Sequence, residues 1–332
     1  MSYSVTLIPG DGIGEEIAES MQQVLKAAGA PISWDKQSAG LKAAQELGNA
    51  LPEATLKSIQ NNQVALKGPT TTPIGSGHKS ANVLLRQALD LYASVRPVKS
   101  VPGVQTRYDN VDLVIIRENT EGLYAAQEAQ VTPDTILSFK VVTKKATHRI
   151  AQFALDYCKK HKRQRLTVGH KANIMKLGDG FFLDTARELA SIDGKVPIDD
   201  CIVDALCMKL VTNPNQFDVL LLENLYGDIV SDLCAGLVGG LGLVPGANLG
   251  EKIAVFESVH GSAPDIAGKN KANPTALIQS AIMMLYHLNE TNIAQQIESA
   301  LYQVLKKPEL RTSDLGGSAN TQEFTQHVIS AL

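Results

Sequence analysis

Two carboxylates, Asp228 and Asp232, stand four residues apart in the segment Asn-Leu-Tyr-Gly-Asp-Ile-Val-Ser-Asp-Leu at 224–233. On a helix, positions i and i+4 share one face, where like charges repel by about 0.2–0.5 kcal/mol per pair. Few other charges lie nearby in the sequence, and residues 233–243 carry none. Carboxylates facing a packed interior need a cation or strong donors. Paired oxygen ligands of this kind suit a hard divalent ion, Mg²⁺ or Mn²⁺. An arbitrary acid pair is more often a solvated helix face, but the apolar surroundings turn the argument toward a metal.

The elements around this segment alternate. Apolar runs at 3–8, 64–66, 111–116, 166–169, 198–203 and 217–222 read as strands. Helical spacing appears at 14–28, 52–60, 145–158, 181–190, 205–211 and 225–237, and again at 274–288 and 293–305. Strands alternating with helices predict an α/β protein with a largely parallel sheet. Residues 127–142 break the rhythm and read as a hairpin arm around Thr132-Pro133-Asp134. No low-complexity linker separates two halves, so two lobes are expected to share one sheet.

Composition removes several function classes. A net charge of −3 gives no global reason to expect nucleic acid or an anionic membrane as partner. The basic run at 159–165 follows an amphipathic stretch, where cations cap a helix C-terminus. The longest uncharged run, 233–250, is broken by Gly and Pro and makes a poor membrane span. Four cysteines form no CxxC pair, and the first residues lack a basic n-region and a long apolar core. A cytoplasmic protein with reduced thiols is the simplest expectation.

Residues 8–14, Ile-Pro-Gly-Asp-Gly-Ile-Gly, follow a strand and open a helix, which invites a dinucleotide-binding reading. The spacing is G-x-G-x-G instead of G-x-G-x-x-G, and no acidic residue closes a strand about 20 residues on. By itself the segment is equally a tight strand-to-helix turn.

Together with Lys-Gly-Pro at 67–69, Val-Arg-Pro at 95–97, Arg-Glu-Asn-Thr-Glu-Gly at 117–122, His-Lys-Ala-Asn-Ile-Met-Lys at 170–176 and His-Gly-Ser-Ala-Pro-Asp-Ile-Ala-Gly at 260–268, these segments make the chain resemble the β-decarboxylating dehydrogenases over almost its whole length. That family includes isocitrate, 3-isopropylmalate, homoisocitrate and tartrate/malate-type enzymes. The resemblance implies an isocitrate/isopropylmalate dehydrogenase-like α/β fold, not Rossmann. A large cofactor-binding domain would comprise 1–98 plus 243–332, and a small dimerisation and substrate domain 99–242. It also implies a homodimer whose sites borrow residues across the interface, interlocked by the arm.

The implied roles fall on residues of suitable chemistry. Arg86, Arg96 and Arg117 match the family's carboxylate-binding arginines, whose paired donors grip carboxylates. Asp228 and Asp232 match metal ligands from one chain and Asp204 the ligand from the other; alone, Asp204 would read as a helix N-cap. Lys171 matches the residue that deprotonates the substrate hydroxyl, and Tyr124 the acid that protonates the enol carbon. Asn173 lies beside Lys171, near nicotinamide or substrate. Ser80 and Asn82, at a helix start, replace the acidic and leucine-type residues of isopropylmalate enzymes and suit the extra carboxylate of isocitrate; plain capping by Ser80 is the alternative. His260, Gly261, Ser262 and Ala263 match the adenosine loop, followed by Asp265 and Ile266 where NADP-using relatives have Lys and Tyr. A carboxylate there accepts from both ribose hydroxyls and repels a 2′-phosphate, which selects NAD. Asn273 is placed at the adenine and Thr72 near the nicotinamide. The expected activity is oxidation of isocitrate to 2-oxoglutarate and CO₂. Homoisocitrate and 3-isopropylmalate remain open as substrates, and a non-catalytic regulatory subunit is the alternative of another class.

Overall fold

Residues 113–116, Leu-Val-Ile-Ile, are apolar without alternation, as in a strand covered on both faces, and all four are buried. The same logic repeats along the chain. In this computed structural model residues 2–72 and 80–332 are described. The elements among them are β1 (Tyr3–Ile8), α1 (Gly14–Ala27), β2 (Ile32–Lys36), α2 (Leu41–Leu47), α3 (Glu53–Asn62), β3 (Val64–Lys67), α4 (Ala81–Ala88), β4 (Ala93–Lys99), β5 (Asp112–Glu118), β6 (Gly122–Thr132), β7 (Thr135–Val141) and α5 (Lys144–Lys160). They continue as β8 (Leu166–His170), α6 (Gly178–Asp193), β9 (Ile198–Ile202), α7 (Val203–Thr212), β10 (Val219–Leu222), α8 (Asn224–Leu237), β11 (Pro245–Leu249), β12 (Ala254–Ser258), α9 (Thr275–His287), α10 (Thr291–Leu305) and α11 (Thr321–Ser330).

The chain forms two units. The first comprises residues 1–89, 100–107 and 238–332; the second comprises 90–99 and 108–237. These units are cut differently from the expected domains: 90–98 go with the second unit, and 100–107 and 238–242 with the first.

In the first unit the strand order is β2-β1-β3-β12-β11, parallel except for the antiparallel β11/β12 pair. Helices α1, α9, α10 and α11 bury Ile17, Met21, Leu277, Met284, Leu301 and Phe324 in one core. Ser20 and Thr325 share a 2.6 Å hydrogen bond inside it. Helix α11 opens with a capping box, Asn320 with Glu323.

In the second unit the order is β4-β5-β10-β8-β9, with β4/β5 antiparallel and the rest parallel. The carboxyl ends of β5, β10 and β8 therefore point the same way. They carry Arg117-Glu118, Glu223-Asn224 and His170-Lys171. In open α/β sheets ligands bind at that end. Among the described strands, β6 and β7 pair with each other alone, closing at Thr132↔Thr135. This hairpin is longer than the expected arm, and exposes Val131, Ile136, Leu137 and Phe139. Two-stranded ribbons are marginal alone.

Candidate active site

Arg117 lies next to last in β5, with no solvent exposure. Its Nε and one terminal nitrogen donate to Asn224 Oδ1 at 3.1 and 2.6 Å, and its other terminal nitrogen pairs with Asp228. The side chain crosses α8 where residue 227 is glycine: a Cβ there would lie 2.5 Å from Arg117 Cγ. The guanidinium also lies 5.0 Å from the centre of the Tyr124 ring. Tyr124 donates its hydroxyl to Asp228 Oδ2 at 2.5 Å. Burial, and then the Asp228 carboxylate, push the phenol above its ordinary pKa, against the pull of Arg117. It stays protonated at neutral pH, as a proton donor must.

Arg96, on β4, donates to Ser231 Oγ at 2.5 Å and to Asp232 Oδ1 at 3.3 Å, and lies 3.7 Å from Asp228 Oδ1. Residues 96, 117, 124, 228 and 232 thus converge within the second unit. One premise of the sequence reading is overturned. Asp228 and Asp232 do not face a packed interior: their side chains are 37% and 54% exposed. Nor do they lack charge partners, because two arginines more than 100 positions away answer them. The apolar residues that suggested burial, Val230, Cys234 and Leu237, lie on the other face of α8. Partial burial still raises the Asp232 carboxyl, opposed by Arg96.

Two hard carboxylates on one helix face fit a divalent cation that keeps several waters. No cluster of three potential His, Cys, Asp or Glu ligands occurs among the described residues. One chain would then supply two ligands.

Lys171 and Asp204 form a second group. Lys171 Nζ lies 2.5 Å from Asp204 Oδ1, and this hydrogen bond lowers the carboxyl. Asp204 is 69% exposed. It is not a helix N-cap: Ile202 holds that position, since helical backbone already begins at Val203. Asn173 is exposed on the loop after Lys171, beside exposed Ile174 and Leu177.

The first unit holds the other expected site residues. Arg86, on α4, is buried against Glu257 at 3.2 Å, and Lys67 Nζ meets the same carboxylate at 3.0 Å. Arg86 therefore does not share a unit with Arg96 and Arg117. Ser80 is the N-cap of α4 but makes no capping bond through its side chain. Asn82 Oδ1 accepts from Thr70 at 3.0 Å. Thr72 is exposed, and neighbouring Thr71 bonds Ser262 Oγ at 2.6 Å. The 8–14 turn packs against these loops. Gly12 has φ +58°, and a Cβ there would lie 2.0 Å from Ser262 O. These glycines serve close backbone approach, which accounts for their spacing.

His260 donates through Nδ1 to Gly261 O at 2.9 Å, while its buried Nε2 has no partner. Burial lowers its pKa, so the ring is neutral at pH 7. An orphaned ring nitrogen beside exposed Gly261 fits a polar ligand such as a nucleotide. Ala263 has φ 40°, and Asp265 is exposed after it. Asn273, just before α9, accepts from Thr275 N at 3.0 Å through Oδ1 and donates to Asp314 Oδ2 at 2.9 Å.

Sequence reasoning missed Asp11, Asn224, Ser231 and Glu257. Asp11 accepts from the backbone of Leu41, Lys42 and Thr71. Glu257, next to last in the apolar strand β12, carries a buried charge, the same signal that marks Arg117 in β5.

Compared with known proteins, the chain is a dehydrogenase-class enzyme. It is 51% identical over 330 residues to the Arabidopsis thaliana protein "Isocitrate dehydrogenase [NAD] catalytic subunit 5, mitochondrial", covering 99% of this chain and 88% of that one. It is 51% identical over 301 residues to a chloroplastic 3-isopropylmalate dehydrogenase of Solanum tuberosum, covering 90% and 84%. A crystal structure of isocitrate dehydrogenase from Methylococcus capsulatus superposes with TM-score 0.96 at 47% identity, covering 99% of both chains. The chain belongs to the isocitrate/isopropylmalate dehydrogenase family, whose profile matches residues 4–328. Mitochondrial relatives lend no support to the cytoplasmic expectation. Among the described residues, no helix is long and apolar enough to cross a membrane.

Proposed function

We propose that this chain catalyses NAD-dependent, Mg²⁺- or Mn²⁺-dependent oxidative decarboxylation of isocitrate to 2-oxoglutarate and CO₂. The observation that carries the reading is the convergence of Arg96, Arg117, Tyr124, Asp228 and Asp232. Two guanidiniums bind substrate carboxylates, with Arg86, Ser80 and Asn82 as further substrate contacts. Asp228 and Asp232 would hold the metal, with Asp204 from a second copy. When bound, NAD would supply the hydride acceptor, and a divalent ion held by Asp228 and Asp232 would supply Lewis-acid chemistry. Lys171 accepts the hydroxyl proton, and Tyr124 returns a proton to the enol carbon. The His260–Ala263 loop with Asp265, Ile266 and Asn273 binds the adenosine half; Thr72 and Asn173 lie toward the nicotinamide.

A homodimer accounts for two further features. Lys171 and Asp204 pair with each other on an exposed loop and helix, as expected of groups donated to another copy. The hairpin exposes apolar side chains that a second copy would cover. A purely regulatory subunit is disfavoured, because acid, base and metal carboxylates are all retained.

The test is NAD⁺ reduction by the purified chain with isocitrate, homoisocitrate and 3-isopropylmalate, each with Mg²⁺ or with excess chelator. Isocitrate should give the highest kcat/KM, and chelator should abolish turnover. Preference for another substrate would move the assignment there; full activity in chelator would remove the metal.

A further inference from the structure

One buried cluster lies behind the reacting groups and is used by none of the steps above. Lys140, on β7 at the base of the hairpin, sends its ammonium inward. It pairs with two carboxylates at once, Asp179 in the first turn of α6 and Glu223 at the end of β10. Asp179 has no solvent exposure, and Glu223 is buried. The Tyr226 ring completes the shell, 4.8 Å from Lys140 Nζ.

Each carboxylate leads directly to a site residue. Asp179 Oδ2 accepts the backbone N–H of Lys171 at 2.7 Å. Glu223 immediately precedes Asn224, whose Oδ1 orients Arg117 through two hydrogen bonds. We propose that Lys140 is a positioning residue, whose ammonium draws Asp179 and Glu223 together and so fixes the loop of Lys171 and the start of α8 relative to each other.

Two carboxylates this close repel unless a cation stands between them, and burial makes the repulsion strong. Even with Lys140 present, burial lifts the Glu223 carboxyl to about 7, and one of its oxygens has no partner. Without the ammonium, the pair relieves its repulsion by separating or by taking a proton. Either response alters the bond to the Lys171 amide or the backbone leading into Asn224. Lys140 touches no substrate; its effect passes through those two links. The effect on turnover rests on the proposed isocitrate reaction, while the geometry does not.

The test compares Lys140→Met with the parent and with Lys145→Met, an exposed lysine on α5, as control. Isocitrate kcat/KM should fall at least tenfold in Lys140→Met, with KM for NAD within twofold. Amide hydrogen exchange should quicken at 171–180 and 223–227 and be unchanged in the first unit. Lys145→Met should match the parent in every measurement. If Lys140→Met does not fold, Lys140→Gln, which removes the charge but keeps a hydrogen-bond donor between the two carboxylates, takes its place with the same readouts. Parent-like exchange at 171–180 and 223–227, or parent-like kcat/KM, in whichever variant folds overturns the proposal. A parent chain that does not oxidise isocitrate would refute the proposed activity instead, and the exchange measurement would still decide the role of Lys140.

Discussion

Glu257→Gln should destabilise the first unit by an amount that follows from its surroundings. Glu257 accepts from Lys67 at 3.0 Å, Arg86 at 3.2 Å and Asn248 at 2.7 Å, with Lys67, Arg86 and Glu257 all less than a tenth exposed. Burial by itself would raise this carboxyl, but the two cations hold it well below the usual carboxylate range. Glutamine keeps the shape and the acceptor for Asn248, so no cavity opens. What it removes is the charge facing two buried cations, a loss worth about 3–5 kcal/mol. For a cooperative unit of roughly 200 residues, each kcal/mol shifts Tm by about 2–4 °C, so Tm should fall by about 6–20 °C. The pH dependence has a definite sign. A carboxyl with a depressed folded pKa contributes fully above its unfolded value of about 4.3 and loses that contribution as pH falls toward the folded one. The gap between parent and variant should therefore be constant from about pH 6 upward and narrow below about pH 4. Thermal melts followed by circular dichroism across this range check both. A drop under about 2 °C at pH 7, or a gap that widens on acidification, would refute the reasoning.

Lys171→Met should abolish hydroxyl oxidation, whereas Tyr124→Phe should slow enol protonation while largely sparing hydride transfer, as stopped-flow NADH formation against 2-oxoglutarate release would reveal. Mixing the two variants and allowing chains to exchange should restore part of the activity; none, with exchange verified, would contradict a shared site. Replacing Asp265-Ile266 with Lys-Tyr should move kcat/KM toward NADP by at least roughly tenfold, about 1.4 kcal/mol, measured with both cofactors at saturating isocitrate. An unmoved preference would place specificity elsewhere.

Strands β1, β3, β5, β8 and β10 were legible as continuous apolar runs, which report burial on both faces; β9 was also read although Asp199 and Asp200 are exposed, whereas the short, fully buried β12 was not. Strand β4 was not, since Ser94, Arg96 and Pro97 interrupt it; its arginine is there to reach α8. Strand β11 begins Pro-Gly, and β2 is a half-exposed edge, so neither shows a clean pattern. Helix α11 carried a readable signal in Asn320 and Glu323, three residues apart, that was passed over. The motif residues of the site stood out in the sequence, but their pairing did not. That Arg96 and Arg117 answer Asp228 and Asp232 depends on strand order, which places residues over 100 positions apart side by side. The same holds for Arg86 and Glu257, and for Lys140 with its two carboxylates.

The division of the chain bears on how it is made. The first unit is assembled from three stretches, and β3 must wait for β12 as its neighbour. At about 5–20 residues per second, translation brings Ala254 out roughly 10–40 s after Lys67. The second unit, complete by residue 237, can fold in that interval. Meanwhile β1, β2 and β3 stand as a three-stranded fragment with an open hydrophobic edge, and α1 lacks the partner that Thr325 brings to Ser20. The nascent chain is therefore most exposed to aggregation, and to chaperone capture, while its middle is being synthesised.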